Sequence, residues 1–385
     1  EHDREMIRHA DHIIEIGPKA GVEGGIVVFQ GDYEGYTKED TLLSKYISGK
    51  HLMPERTGRK NTFDEKDCLT LEHANTHYLK DLTVTFPLHA MVGIAGLSGS
   101  GKSTLIEETL LKRLASRKYS YITDITGVER INGFIKISQE PIGRSASSTP
   151  ASYIGIWDKI RELFAKQPEA SARSMSAGHF SFHSKGACQD CGGSGYERIF
   201  LTSNFSVDKL CQTCHGKRFN DESLSVVYKG KTIAEVLEMS IAEALSFFED
   251  QSSIVKPLRI LEQMGMGYLT LGQPSSSLSG GEAQRVKLAK ELGRQLKGNM
   301  LYVLDEPTTG LSLYDTALLL KILDQLVASG NSVIVIEHNV EVLKSCDYII
   351  ELGPEGGNKG GEIIAEGTPD MLINNPNSKT GRYLV

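Results

Sequence analysis

The segment Gly96-Leu-Ser-Gly-Ser-Gly-Lys-Ser-Thr104 has glycine at its first, fourth and sixth positions, then a lysine and two hydroxyls. Between a strand and a helix, such a run cradles phosphate, because glycines let successive backbone N–H groups turn inward at a helix N-terminus. Gly96, Ser98, Gly99, Ser100, Gly101, Lys102, Ser103 and Thr104 are therefore expected to bind a nucleoside triphosphate. Lys102 would reach the β- and γ-phosphates and Ser103 would offer its hydroxyl to Mg²⁺. Further along, Leu301-Tyr-Val-Leu-Asp-Glu306 sets two carboxylates at the end of an apolar run. Asp305 is expected near the Mg²⁺, and Glu306 is placed to orient and deprotonate an attacking water. A second anion site is written in Ser277-Leu-Ser-Gly-Gly-Glu-Ala-Gln-Arg285, where Ser279, Gly280 and Gly281 would open a helix with exposed N–H groups. The first loop already holds one nucleotide, so this second site would serve another.

A different chemistry is carried by Cys188, Cys191, Cys211 and Cys214. Two Cys-x-x-Cys pairs separated by 19 residues have the ligand number and spacing of a structural Zn²⁺ site. Four thiolates close the coordination sphere, which suits a structural metal and not a catalytic one. His183 and His215 are alternative ligands. Cys68 and Cys346 stand alone and read as small core residues.

The elements that must position these groups follow from pattern. Leu82–Phe86 and Met91–Ala95 read as short strands, and Leu105–Leu114 as the helix after the phosphate loop. Ile233–Phe248 has helical periodicity, while Leu301–Leu304 and Val333–Ile336 are the apolar runs of buried parallel strands. The sum is an α/β fold, a parallel sheet with helices on both faces. Residues 1–31 also align without gaps onto 337–367, with 13 of 31 pairs identical. The second copy closes a domain and the first opens the chain at Glu1, so a tandem protein represented from the end of its first unit is expected. The expected layout is a first-unit remnant at 1–31, a linker at 32–60, a nucleotide-binding core at 61–140, an inserted zinc-bearing domain at 141–270, and the returning core at 271–385.

Composition narrows the class. Of 385 residues, 39% are hydrophobic and 24% charged, ordinary for a globular protein with a core. No apolar run approaches the ~18 residues of a membrane helix, and there is no N-terminal signal segment, so a cytoplasmic protein without a membrane partner is expected. The net charge is −7, but residues 141–230 hold 11 Lys/Arg against 8 Asp/Glu. A mildly basic insert on an acidic body can place a polyanion.

The phosphate loop, the Leu278–Arg285 segment and the Asp-Glu strand together resemble the ATP-binding cassette (ABC) ATPases. That resemblance implies that Gln139 contacts Mg²⁺ and water, that His338 is the switch histidine at the γ-phosphate, and that His2 is its counterpart in a first cassette. Tyr78 is the candidate for stacking on adenine. The zinc pairs between Gln139 and the Leu278–Arg285 segment narrow the likeness to the UvrA family of excinuclease proteins. Gln139-Glu-Pro-Ile-Gly-Arg144, Phe180-Ser-Phe182, Gly216-Lys-Arg218, Leu271-Gly-Gln273 and Asp305-Glu-Pro-Thr-Thr-Gly310 carry it. The resemblance implies an ABC-type P-loop ATPase with an inserted zinc-binding domain, using ATP, Mg²⁺ and Zn²⁺. It also implies damaged-DNA binding in nucleotide excision repair, a homodimer and a helicase-like repair partner. Lys185, Arg198, Lys209, Lys217 and Arg218 would then meet DNA phosphates.

This chain departs from the family pattern at Ser145-Ala-Ser-Ser148, at Ser312 and Tyr314, and over Arg198–Leu210. These positions lie near the expected DNA contacts and domain interface, and the ATPase motifs are intact. The alternative reading is a paralogue linked to drug resistance or to an exporter, with no part in lesion recognition. Because each ATP site would need a facing cassette, this chain alone is expected to bind nucleotide and to hydrolyse it slowly.

Overall fold

Strands buried on both faces read as continuous apolar runs, and here they form the middle of a six-stranded sheet. In the computed structural model its order is Glu362–Gly367, Tyr348–Gly353, Met91–Gly96, Ser332–Ile336, Met300–Asp305 and Gly133–Ile137. Every neighbouring pair is parallel except the edge strand Glu362–Gly367. The structure describes residues 4–18, 24–54, 63–64, 66–116, 125–143, 148–202, 205–293 and 298–385, without the side chains of Arg198 and of 200–202. Ile336 lies opposite both Ile94 and Asp305, and Leu304 lies opposite Ile137. The C-terminal ends of four parallel strands are thus level at one sheet edge, the usual place for a ligand in an open α/β fold.

A smaller antiparallel sheet of Leu82–Pro87, Cys68–Ala74 and Ile125–Thr126 completes this part. Its Leu69, Val84 and Phe86 share one core with Leu105, Ile106 and Leu110 of the helix after the phosphate loop and with Ile94, Val303 and Ile334 of the large sheet. Each such side chain, fully buried, contributes about 1.5–3 kcal/mol. That helix differs from the expected regular one. Thr104–Leu111 has π-helical spacing, with α-helical residues only at Lys102 and Ser103 before it and at Lys112–Ala115 after it. The Thr109 hydroxyl donates to the Thr104 carbonyl at 2.8 Å, holding the acceptor five residues back.

The described residues form two compact units, one of residues within 4–139 and 298–385, the other of residues within 140–293. The second unit is mostly helical. Its aromatic core contains Trp157, Phe164, Phe180, Phe182, Phe219 and Phe248, all buried. It ends later than the expected boundary at 270. The Ala151 N–H donates to the Leu271 carbonyl and the Ser275 N–H to the Ser148 carbonyl, and helix Gly280–Gly293 packs on helix Ser252–Gln263. Consequently Ser279–Gly281 belongs to the second unit. Ile233–Phe248 is also two helices, Ile233–Glu238 and Ile241–Phe247. Each begins with a capping box, Thr232 with Glu235 and Ser240 with Glu243, and the second box stops the first helix.

The internal repeat is structural. Strands Ile13–Gly17 and Ile26–Gly31 pair antiparallel, with Ile13 opposite Gly31 and an irregularity after Glu15. Their counterparts pair Ile349 with Gly367, with the irregularity after Glu351. The Thr41 hydroxyl donates to Glu15 at 2.6 Å, as the Ser378 hydroxyl donates to Glu351 at 2.5 Å. The match therefore continues from Thr41-Leu-Leu-Ser-Lys-Tyr-Ile47 to Ser378-Lys-Thr-Gly-Arg-Tyr-Leu384, past the expected end at residue 31. Much of the segment expected to be linker is ordered instead. Helices Tyr33–Lys38 and Leu42–Ile47 bury Tyr36 and Ile47 beside Ile7 and Leu313.

Candidate nucleotide and metal sites

The strand Met91–Gly96 delivers the phosphate loop. Gly96 has φ +133°, and a Cβ there would lie 2.2 Å from the Leu352 carbonyl oxygen, so only glycine fits. Ser100 N–H closes on the Leu97 carbonyl at 3.1 Å, and Leu105 N–H on that of Gly101 at 2.8 Å. The Lys102 ammonium is buried and donates to the carbonyls of Gly96 and Leu97 at 2.9 and 3.0 Å. Burial lowers its pKa, while Glu306 and Asp305 pull the other way. The Ser100 hydroxyl is buried without a hydrogen-bond partner and lies on the Gly96 side of the loop.

The other strand ends converge on the same place. A cavity of about 180 Å³ is lined by Tyr78, Leu79, Ser98, Gly99, Gly101, Lys102, Ser103, Thr104, Glu306 and His338. Its lining brings the Lys102 ammonium and the hydroxyls of Ser98, Ser103 and Thr104 to one place, groups that suit a charged ligand. Glu306 Oε1 and His338 Nε2 are 3.3 Å apart. The Gln139 amide donates to the Glu306 carbonyl at 2.9 Å, so the strand end at Ile137 meets the one at Asp305. Asp305 is half-buried. Burial raises its pKa first, then the neighbouring carboxylates of Glu107 and Glu306, against the offsetting charge of Lys136. A divalent cation would reverse that penalty, and Ser103 and Asp305 are the residues that would hold it.

Three further residues belong to this neighbourhood and were not among the expected ones. Glu107 lies one helical turn past Ser103 and is ion-paired to Lys136 at 2.8 Å. Glu337 is buried beside His338. The Glu-His pair shared by the two repeats is the one sequence signal for Glu337, and nothing in the spacing marks Glu107 or Lys136.

In the second unit, Ser279 caps helix Gly280–Gly293, its N–H donating to Glu282 Oε2 at 2.7 Å and its hydroxyl accepting from the Glu282 N–H at 3.3 Å. The Tyr268 hydroxyl also donates to Glu282. Gly280 and Gly281 thereby sit in the first turn, where N–H groups have no partner four residues back.

The four cysteines come together. Their sulfurs all lie within 4.8 Å of one another, with Cys188–Cys211 at 3.9 Å and Cys191–Cys214 at 3.6 Å. Tetrahedral Zn–S bonds of ~2.3 Å put sulfurs about 3.8 Å apart, so the set fits zinc. His183 and His215 are not in the cluster. Burial raises the Cys191 thiol, but the N–H groups of Gly195 and Gly193 and the neighbouring thiols outweigh it and bring it to about 7. The Gly195 N–H reaches the Cys191 sulfur at 3.3 Å. Beyond the knuckle, strands Tyr196–Thr202 and Phe205–Leu210 make a hairpin whose second strand is exposed throughout.

Of the expected DNA contacts, Lys185, Lys209 and Lys217 are exposed. Arg218 is not available in that way. Its guanidinium lies over the Phe182 ring at 5.4 Å, one nitrogen is buried without a partner, and burial lowers its pKa. The Arg198 side chain, His2, Arg144 and positions 145–147 lie outside the described residues.

No protein-family model matches the chain. It is 47% identical to the UvrABC system protein A of Synechocystis sp., over all of this chain and 40% of that protein. It is also 47% identical to that of Thermus thermophilus, over 41% of its length. The crystal structure of UvrA2 from Deinococcus radiodurans superposes with a TM-score of 0.93 at 40% identity, covering all of this chain and 47% of that one. The chain thus spans about two-fifths of the curated relatives it matches.

Proposed function

Because the chain belongs to the UvrA family and matches two-fifths of its relatives' length, we propose that it supplies the second ATP-hydrolysing cassette of a larger UvrA-like protein. The observation that carries this reading is the one cavity uniting Lys102 and Ser103 of the phosphate loop with Glu306 and His338 from two other strand ends. Bound Mg²⁺ would supply charge neutralisation for the phosphates. Lys102 would hold them, Glu306 would take the proton from water, and His338 and Gln139 would order the γ-phosphate edge. Ser279–Gly281 would serve a nucleotide on a facing cassette.

The facing cassette would be the one that precedes this chain. Ile14 and Ile16 are 57% and 69% exposed, whereas their repeat counterparts Ile350 and Leu352 are 0% and 1% exposed inside the large sheet. Such a face calls for a covering sheet of the same kind. On the family resemblance, the whole protein would bind damaged DNA as a homodimer in the cytoplasm and hand it to a helicase-like partner in excision repair. Lys185, Lys209 and Lys217 on the zinc-stapled side would contact phosphate. Among the described residues no helix is long and apolar enough to cross a membrane.

Turnover of MgATP by this chain alone, compared with the same chain joined to its preceding cassette, tests the reading. Slow hydrolysis alone and a rise of at least tenfold on joining support it; equal turnover contradicts it.

A further inference from the structure

Glu337 is the first residue past strand Ser332–Ile336, and Glu306 is the first past strand Met300–Asp305. The two backbones are locked side by side, with Glu337 N–H on the Ile94 carbonyl at 3.1 Å and Glu306 N–H on the Ile336 carbonyl at 2.9 Å. Glu306 has φ +43°, in the left-handed region that a non-glycine residue keeps only when its surroundings over-determine it. Gln139 and the Thr309 N–H both bond its carbonyl, which fixes the residue from one side.

The other side is fixed by Glu337. This carboxylate is 3% exposed and accepts four hydrogen bonds. Its Oε1 takes the Thr308 N–H at 2.9 Å and the Thr308 hydroxyl at 2.6 Å. Its Oε2 takes the N–H groups of His338 at 2.8 Å and Asn339 at 3.0 Å. One oxygen thus grips the turn that follows Glu306, and the other grips the loop that carries His338. All four donors are neutral, and each buried bond to a charged acceptor is strong and directional.

We propose that Glu337 is a positioning residue for ATP hydrolysis: a single buried carboxylate that ties the turn after Glu306 to the loop of His338 and so holds those two side chains in register. It acts through both and needs no contact with nucleotide. The inference rests on the ATPase reading above and adds a residue to it.

Two variants separate this role from a merely structural one, each made in the intact gene product. Glu337→Gln leaves one oxygen and turns an amide NH₂ toward donors, so one of the two loops loses its acceptor. Glu337→Asp keeps the charge but is one methylene short of spanning both loops. For each, kcat of ATP hydrolysis is expected to fall at least tenfold, with the Kd for MgATP unchanged within threefold and a lowered but still cooperative melting transition, because buried donors lose their acceptor. Hydrogen exchange should show faster exchange at the Thr308 amide or at the His338 and Asn339 amides, whichever side loses its acceptor. A kcat within threefold of wild type in both variants overturns the proposal, and so does a loss of MgATP affinity that parallels the loss of kcat. Absence of hydrolysis by the wild-type protein overturns the ATPase reading instead. Unchanged protection at all three amides, Thr308, His338 and Asn339, in Glu337→Gln overturns the clamp whatever the hydrolysis shows.

Discussion

Gly193, between the two cysteine pairs, is the sharpest point at which the structure can be tested by substitution. It has φ +83°, and a Cβ there would lie 1.8 Å from the carbonyl oxygen of Phe182. Its neighbour Gly192 also has positive φ, +58°, but a Cβ there meets nothing within 4 Å. Gly192→Ala should therefore cost only the conformational penalty, about 1–2 kcal/mol. Gly193→Ala adds a backbone overlap that has to be relieved by moving the knuckle or the Phe182 segment, worth about 1–3 kcal/mol more by comparison with overpacked cores. Trp157, the single tryptophan, is buried with its ring 5.5 Å from that of Phe182, so its fluorescence reports this part of the molecule. Denaturant unfolding followed at Trp157 should show Gly193→Ala less stable than Gly192→Ala by that difference, with zinc released at lower denaturant. Equal stability of the two variants would refute the packing of Phe182 on the knuckle.

Other consequences are simpler to state. Stripping zinc with a strong chelator, or Cys211→Ser, should loosen the Phe182 segment and change the emission of Trp157 while leaving MgATP binding in place; an unaltered spectrum contradicts a structural role for the metal. Asp305 has its pKa raised by burial and by nearby carboxylates, so its protonated form is the one that folding favours. That contribution is complete below the ordinary carboxylate value and is lost as pH rises through the raised one. Asp305→Asn should accordingly raise the melting temperature at neutral pH, with the gain fading near pH 4 and below, while Mg²⁺-dependent hydrolysis is lost. A lower melting temperature at neutral pH contradicts the sign. Changing Lys185, Lys209 and Lys217 together to alanine should weaken duplex binding and flatten its dependence on salt by up to three counterions. An unchanged salt slope removes these lysines from the interface.

The motifs that depend on short spacing are legible in the amino-acid sequence itself. A phosphate loop, an Asp-Glu strand end and two Cys-x-x-Cys pairs are local arrangements, so their spacing encodes most of their geometry. The apolar runs within Met300–Asp305 and Ser332–Ile336 likewise announce the sheet that carries them. The rest is set by tertiary contact or by competing local signals. Thr109 reaches its own helix at Thr104 and changes the spacing of the first turns, which no periodicity announces. Ser240 with Glu243 writes a helix start inside an apolar periodic stretch, a signal present in the sequence but masked by the longer pattern. Residues 41–47 match 378–384 only after a one-residue shift, so a gapless comparison stops short of them. Arg218 reads as one more surface cation because sequence cannot show the Phe182 ring beneath it.

Whether this cavity binds and hydrolyses ATP is decided by a paired measurement of MgATP binding and hydrolysis in Lys102→Ala and Glu306→Gln. Lys102 is placed to hold phosphate and Glu306 to activate water, so their losses must separate. Lys102→Ala is expected to lose binding by about 10–100-fold, as for removal of a charged hydrogen-bond donor, whereas Glu306→Gln should bind as wild type but no longer turn over. Undiminished binding in the first variant, or sustained hydrolysis in the second, would contradict the ATPase reading.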